Sequence, residues 1–143
     1  MEQLVEQMKT VLATTFSLYL KSHNYHWNVT GPDFGQYHDF FGQFYEDVHA
    51  SIDNIAEHIR GLDEFAPGSY TRFSQLTKIT DETTIPQPAV MFSRLASDND
   101  IVISEMYKAA DMADEARQRG LVNFLEDRID FHEKMRWQLK SFS

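Results

Sequence analysis

A chain of 143 residues with 13 Lys+Arg against 22 Asp+Glu, a formal charge of −9, is one domain's worth of polypeptide that suits cationic partners better than a phosphate backbone. Apolar residues at 42% and aromatics at 13% exclude a disordered acidic polymer, and zero Cys removes disulfide scaffolds, thiolate zinc sites and cysteine nucleophiles. Uncharged runs such as residues 10–20 reach about half of the roughly 20 residues needed to cross a bilayer, and the start Met1-Glu2-Gln3-Leu4-Val5-Glu6 is acidic where a signal or transit peptide is basic, so no membrane span and a cytoplasmic location are expected.

Leu4, Met8, Val11, Leu12, Thr15, Phe16 and Tyr19 recur at spacings of three and four, which predicts an amphipathic helix from about Glu2 to Trp27. The segment 28–33 breaks it, and Asp33 suits the N-cap of a second long helix, Phe34 to Leu62, with apolar positions at Phe34, Phe41, Tyr45, Val48, Ile52, Ile55, Ile59 and Leu62. From Asp63 to Pro88 the periodicity weakens, and only Tyr70 to Ile79 supports a short helix inside a long crossover. Pro88 suits the first position of a third helix that buries Val90, Met91, Leu95, Ile101, Val102, Met106, Ala109 and Met112. Gly120 is expected to divide it from a fourth, Leu121 to about Phe142. Long helices joined by short loops around one long central connection make an all-α, ferritin-like four-helix bundle, with residues 1–143 as a single domain.

Asp53 and Glu57, four apart, project from one face of the second helix. His38 lies fifteen residues upstream on the same helix, roughly 22 Å away, so these groups cannot share a metal within one chain. Two copies of that helix packed antiparallel about a two-fold axis near Glu46 and Asp47 would set His38 of one copy opposite Asp53 and Glu57 of the other. His26, at the end of the first helix, would add a second nitrogen. Imidazole with carboxylate suits iron, manganese or zinc. Spacing alone is more often that of solvated surface groups or buried hydrogen-bonding residues. Glu46-Asp47-Val48-His49 fits the Glu-x-x-His element of di-iron bundles, but that architecture needs two copies and the chain has one.

The stretch His26-Trp27-Asn28-Val29-Thr30-Gly31-Pro32-Asp33-Phe34, then His38, then Asp53-Asn54-Ile55-Ala56-Glu57, closely resembles the Dps family of mini-ferritins, and family-like features continue to residues 132–137. That resemblance implies a dodecameric shell with iron sites across two-fold interfaces, His26 and His38 from one subunit meeting Asp53 and Glu57 from its neighbour. It also implies a ferroxidase that oxidises Fe(II) with hydrogen peroxide, or more slowly with dioxygen, and stores ferric mineral against oxidative damage. Trp27 resembles the family tryptophan beside the site, which is suggested to intercept stray oxidising equivalents.

Three positions depart from the family pattern. Gly42 stands where many relatives carry a further acidic site residue, so the number of irons per site is left open. Gly42 also has a structural reading, as a residue that lets two helices approach closely. His58 replaces an arginine and reads as a surface or supporting group. Residues 118–123, with Arg119 and Asn123, lack the aspartates of the family's three-fold pores, leaving Asp111, Asp114, Glu115, Glu126 or Asp127 as substitutes. Relatives that bind DNA directly often carry a lysine-rich N-terminal extension; none precedes the first helix here, so direct DNA binding is not expected. The competing readings are a DNA-compacting protein with weak iron chemistry and a non-catalytic assembly module of the same fold.

Overall fold

The computed structural model describes residues 1–142, so Ser143, the last residue of the expected domain, lies outside the described residues. Five helices follow in chain order: α1 Glu2–Asn28, α2 Phe34–Gly61, α3 Tyr70–Leu76, α4 Pro88–Glu115 and α5 Arg119–Lys140. Among the described residues there is no strand, and no helix is long and apolar enough to cross a membrane.

Of the stripe predicted for α1, Leu4, Met8, Val11, Leu12 and Thr15 are buried, while Phe16 and Tyr19 are half-buried. The helix stops where Val29 turns extended, and Gly31 then takes a φ of 113°, a conformation that side chains with a Cβ rarely adopt. Asp33 holds the N-cap position of α2, although its side chain makes no capping hydrogen bond. The four long helices form two hairpins, α1 with α2 and α4 with α5, and α1 packs on α4. Phe41 of α2 stacks on Phe92 of α4 at 4.7 Å, and Phe92 stacks on Phe142 at 4.3 Å, so one end of the bundle closes around large rings.

The crossover, residues 62–87, must return the length of a 28-residue helix, about 42 Å, before α4 can start beside the start of α2. A polar network holds it in place. Tyr25 Oη donates to Glu82 Oε1 at 2.6 Å, and Arg94 Nη1 pairs with the same oxygen at 2.7 Å. The Tyr25 hydrogen bond leads in holding the Glu82 carboxyl down at about 2. Beside it, Lys21 Nζ lies 2.8 Å from Asp98 Oδ2 and donates to Thr80 O at 3.0 Å. Burial pushes the Asp98 carboxyl up and Lys21 opposes that push.

Three boundaries differ from the sequence reading. The short helix ends at Leu76 rather than Ile79, because Thr77 is extended: its Oγ1 accepts from Ser17 Oγ at 2.7 Å, and Thr14 Oγ1 accepts from Lys78 N–H at 3.2 Å. Ile79 is then a core residue reached by extended chain. Gly120 does not divide the last two helices; it lies in the first turn of α5, and the break is at residues 116–118, where Arg117 has a φ of 58°. α5 ends at Lys140, before Phe142. Val90 and Phe34, expected on buried stripes, are exposed.

Candidate metal centre

His26 sits on the last turn of α1 and His38 on the second turn of α2, facing each other across the α1–α2 loop. Each imidazole Nδ1 bonds to the other residue's backbone carbonyl, His26 to His38 O at 2.7 Å and His38 to His26 O at 2.7 Å. A carbonyl oxygen only accepts, so both Nδ1 atoms carry a proton, and the neutral form of either ring has its lone pair on Nε2. The rings stack at 3.8 Å, 18° from parallel. This is how metal-binding imidazoles are commonly fixed, the second nitrogen being oriented by a backbone acceptor.

Gly42 lies directly against the His26 ring. A Cβ built there would meet His26 Cε1 at 3.1 Å and Nδ1 at 3.2 Å, closer than side chains ordinarily pack, so the missing side chain seats His26 against α2 within one protomer.

Asp53 and Glu57 are exposed on the outer face of α2 and form no hydrogen bond or ion pair among the described residues. The four candidate ligands therefore fall into a histidine pair at one end of α2 and a carboxylate pair about 22 Å along it. Among the described residues no three His, Asp or Glu side chains converge on a possible metal position within the protomer. His49 and Glu46 are exposed on the same helix, His49 lying against the Tyr19 ring at 4.7 Å rather than inside the bundle. His58, half-buried, rests on the ring of Phe124 at 4.7 Å.

Spacing did not single out what surrounds His26. His23 is sandwiched between Trp27 at 3.9 Å and Tyr45 at 3.8 Å, and Tyr19 Oη lies 2.9 Å from His23 Nδ1. The signal was in the sequence, since Tyr19 and His23, His23 and Trp27, and Tyr45 and His49 each stand four apart on a helix. Burial, with His26 and His49 nearby, pushes the His23 imidazole below its usual range. Away from the centre, Asp114 and Glu126 line a surface recess of about 410 Å³ together with Arg117, Arg119 and Asn123, so two of the five acidic pore candidates come together beside two arginines.

The ferritin-like domain family model matches residues 5–143. The chain belongs to the Dps family of ferritin-like proteins. A low temperature-induced protein of Nostoc sp. is 32% identical over 92% of this chain and 74% of its own length. A DNA protection during starvation protein of Brevibacillus brevis is 29% identical over 99% of both chains. Among solved structures, Dps from Thermosynechococcus elongatus superposes with a TM-score of 0.95 at 28% identity, covering 99% of this chain and 90% of that one. A Dps from Bacillus brevis gives 0.94 at 28%, covering 99% and 95%. The Dps protein of Vibrio cholerae, described as a ferritin-like diiron-carboxylate protein, shares the fold at a TM-score of 0.95 and 24% identity, over 99% of this chain and 89% of that one. Bundle, crossover and short α3 are thus the Dps architecture.

Proposed function

We propose that this Dps protein stores and detoxifies iron as a ferroxidase, with Fe(II) as its substrate. The observation that carries the reading is the reciprocal lock of His26 and His38, which leaves both Nε2 atoms as the ring nitrogens for a ligand at a surface where, among the described residues, no side chain of the same protomer completes a site. A two-fold partner would complete it with Asp53 and Glu57, whose carboxylates are exposed and unpaired among the described residues. Family membership supports iron as the metal, and the donor set agrees: neutral nitrogen holds incoming Fe(II), and carboxylate oxygen favours the harder Fe(III) product. Two Fe(II) give up two electrons to one hydrogen peroxide, which takes two protons and leaves as two waters, so no hydroxyl radical is released. Dioxygen serves more slowly. The residual charge of −9 draws cations to the site and to the surface on which ferric mineral nucleates.

The test is an anaerobic Fe(II) titration followed by peroxide, run on the sized oligomer. A closed shell of twelve 16.7 kDa chains elutes near 200 kDa, and oxidation falls at least to the roughly 100-fold level seen for lost outer-sphere partners in His38→Ala and Asp53→Ala. A monomer, or unchanged oxidation in both variants, refutes the proposal. Salt-dependent DNA retardation by the same oligomer, with oxidation weak, would favour the DNA-compacting reading instead.

A further inference from the structure

Five of the seven arginines donate to a carboxylate, an amide or a carbonyl of the same protomer, Arg94 to Glu82 and Arg128 to Asp47 among them. The other two, Arg117 and Arg119, have no hydrogen bond or ion pair among the described residues, and both line the recess of about 410 Å³ at the α4–α5 turn. Asp114 and Glu126 line the same recess, are exposed like the arginines, and are likewise unpaired among the described residues. Two cations and two anions thus share one concavity without pairing inside the chain. Arg117 stands there at a φ of 58°, a conformation that favours glycine, so the turn is made with a charged, exposed side chain.

The mixture of signs decides what the recess can meet. A phosphate backbone would face Asp114 and Glu126 as well as the arginines, and the net charge of −9 repels it further. A metal ion suited to the carboxylates would sit beside two guanidinium groups. A surface that carries both signs, turned so that each group faces its opposite, satisfies all four. A second copy of this chain carries that surface. A closed assembly also requires such a contact. An isologous two-fold contact joins two copies and then stops, so a shell of twelve needs a second, head-to-tail contact that repeats around an axis. Head-to-tail pairing demands both halves of each pair on one chain, and the recess holds both.

We propose that copies of the chain close into rings through this recess, Arg117 and Arg119 of one copy pairing with Asp114 and Glu126 of the next. The proposal rests on the reading of the protein as a closed shell and names the contact that closes it. Guanidinium and carboxylate can pair through two parallel hydrogen bonds, so the contact fixes the rotation between neighbours as well as joining them. Asp114 and Glu126, engaged in that way, do not serve as a port for iron.

The experiment is light scattering after size exclusion, run on the metal-free full chain at low and at moderate salt. The wild type runs at about 200 kDa, twelve chains of 16.7 kDa. Arg117→Glu/Arg119→Glu runs at about 33 kDa, two such chains, an approximately sixfold fall in mass, with helical circular dichroism and anaerobic Co(II) binding at the histidine pair retained. The mirror variant Asp114→Arg/Glu126→Arg falls in the same way. Combining all four substitutions exchanges the charges and returns the mass to the wild-type value. Either reversal variant keeping the wild-type mass overturns the proposal, and so does a combined variant that stays at two copies. Inorganic phosphate that binds the wild type but not Arg117→Glu/Arg119→Glu, with the mass unchanged, assigns the recess to an anion and overturns it as well. The failures are distinguishable. A wild type that stops at two copies removes the shell and this contact together, whereas a wild-type shell that does not oxidise iron removes the iron reading and leaves the contact standing.

Discussion

The protein fixes imidazoles in two places by the same device and leaves them in opposite states. At the α1–α2 end, His26 and His38 each give Nδ1–H to a backbone carbonyl and remain half-buried, so their Nε2 atoms stay accessible. In the α4–α5 half, His132 Nδ1 bonds to Asn99 Oδ1 at 2.8 Å while Asn99 Nδ2 returns a bond to His132 O at 2.8 Å, but there Nε2 is sealed in the core with no partner among the described residues. Burial, with Arg128 adding repulsion, drives that imidazole down to about 3. Orienting a ring does not by itself make a ligand. The difference lies in what covers the second nitrogen: packed helix in one case, an open surface in the other.

The largest effect that sharpens this contrast is on chemistry. His38→Ala removes both a proposed ligand and the clamp on His26, and it is expected to abolish tight anaerobic binding of Co(II), read from its visible spectrum, while the bundle's helical circular dichroism persists. His132→Ala should do the reverse, lowering stability and leaving Co(II) binding intact.

Next in size is the buried ion pair that anchors the crossover. Asp98→Ala strands Lys21, 8% exposed, among packed helices and should cost about 3 to 5 kcal/mol in urea unfolding at fixed protein concentration. Unchanged stability would mean that Lys21 reaches water through the adjoining groove.

A third effect is on pH. Because the folded state holds His132 neutral down to about 3 while an unfolded histidine titrates near 6.5, protons bind the unfolded chain first. Stability from this group is complete above about pH 6.5 and declines by roughly 1.4 kcal/mol per pH unit as pH falls towards 3. The slope difference between wild type and His132→Gln over that window isolates it, and equal slopes would show that His132 is protonated without unfolding. Smallest of all, Gly42→Ala pushes a Cβ to 3.1 Å from His26 and should weaken Co(II) binding by about tenfold while leaving stability nearly unchanged.

Long-range periodicity made most of the fold legible. Apolar residues at helical spacing located three of the four long helices, and Pro88 marked the start of α4 where it stands at the first helical position. What misled was local punctuation. Gly120 looked like a divider, yet the turn is made by Arg117 in a left-handed conformation, which residue type gave no reason to expect. Ile79 looked helical because it is apolar at the right interval, yet Thr77 is held extended by hydroxyls of α1 that lie about 60 residues away in sequence. At the candidate centre, spacing separated the histidine pair from the carboxylate pair. It could not show that His26 and His38 lock each other, since that depends on two carbonyls, nor that Gly42 is the seat of an imidazole within one protomer.

The central claim is that each site is shared, with nitrogen from one subunit and carboxylate from its neighbour. Mixed oligomers test it most directly. His26→Ala/His38→Ala and Asp53→Ala/Glu57→Ala chains, each inactive alone, are unfolded together and reassembled in equal amounts, and Fe(II) oxidation by peroxide is measured. Shared sites across a two-fold predict that about a quarter of the wild-type sites return, because half the pairs are mixed and each mixed pair rebuilds one of its two sites. Mixtures as inactive as their parents would contradict the account.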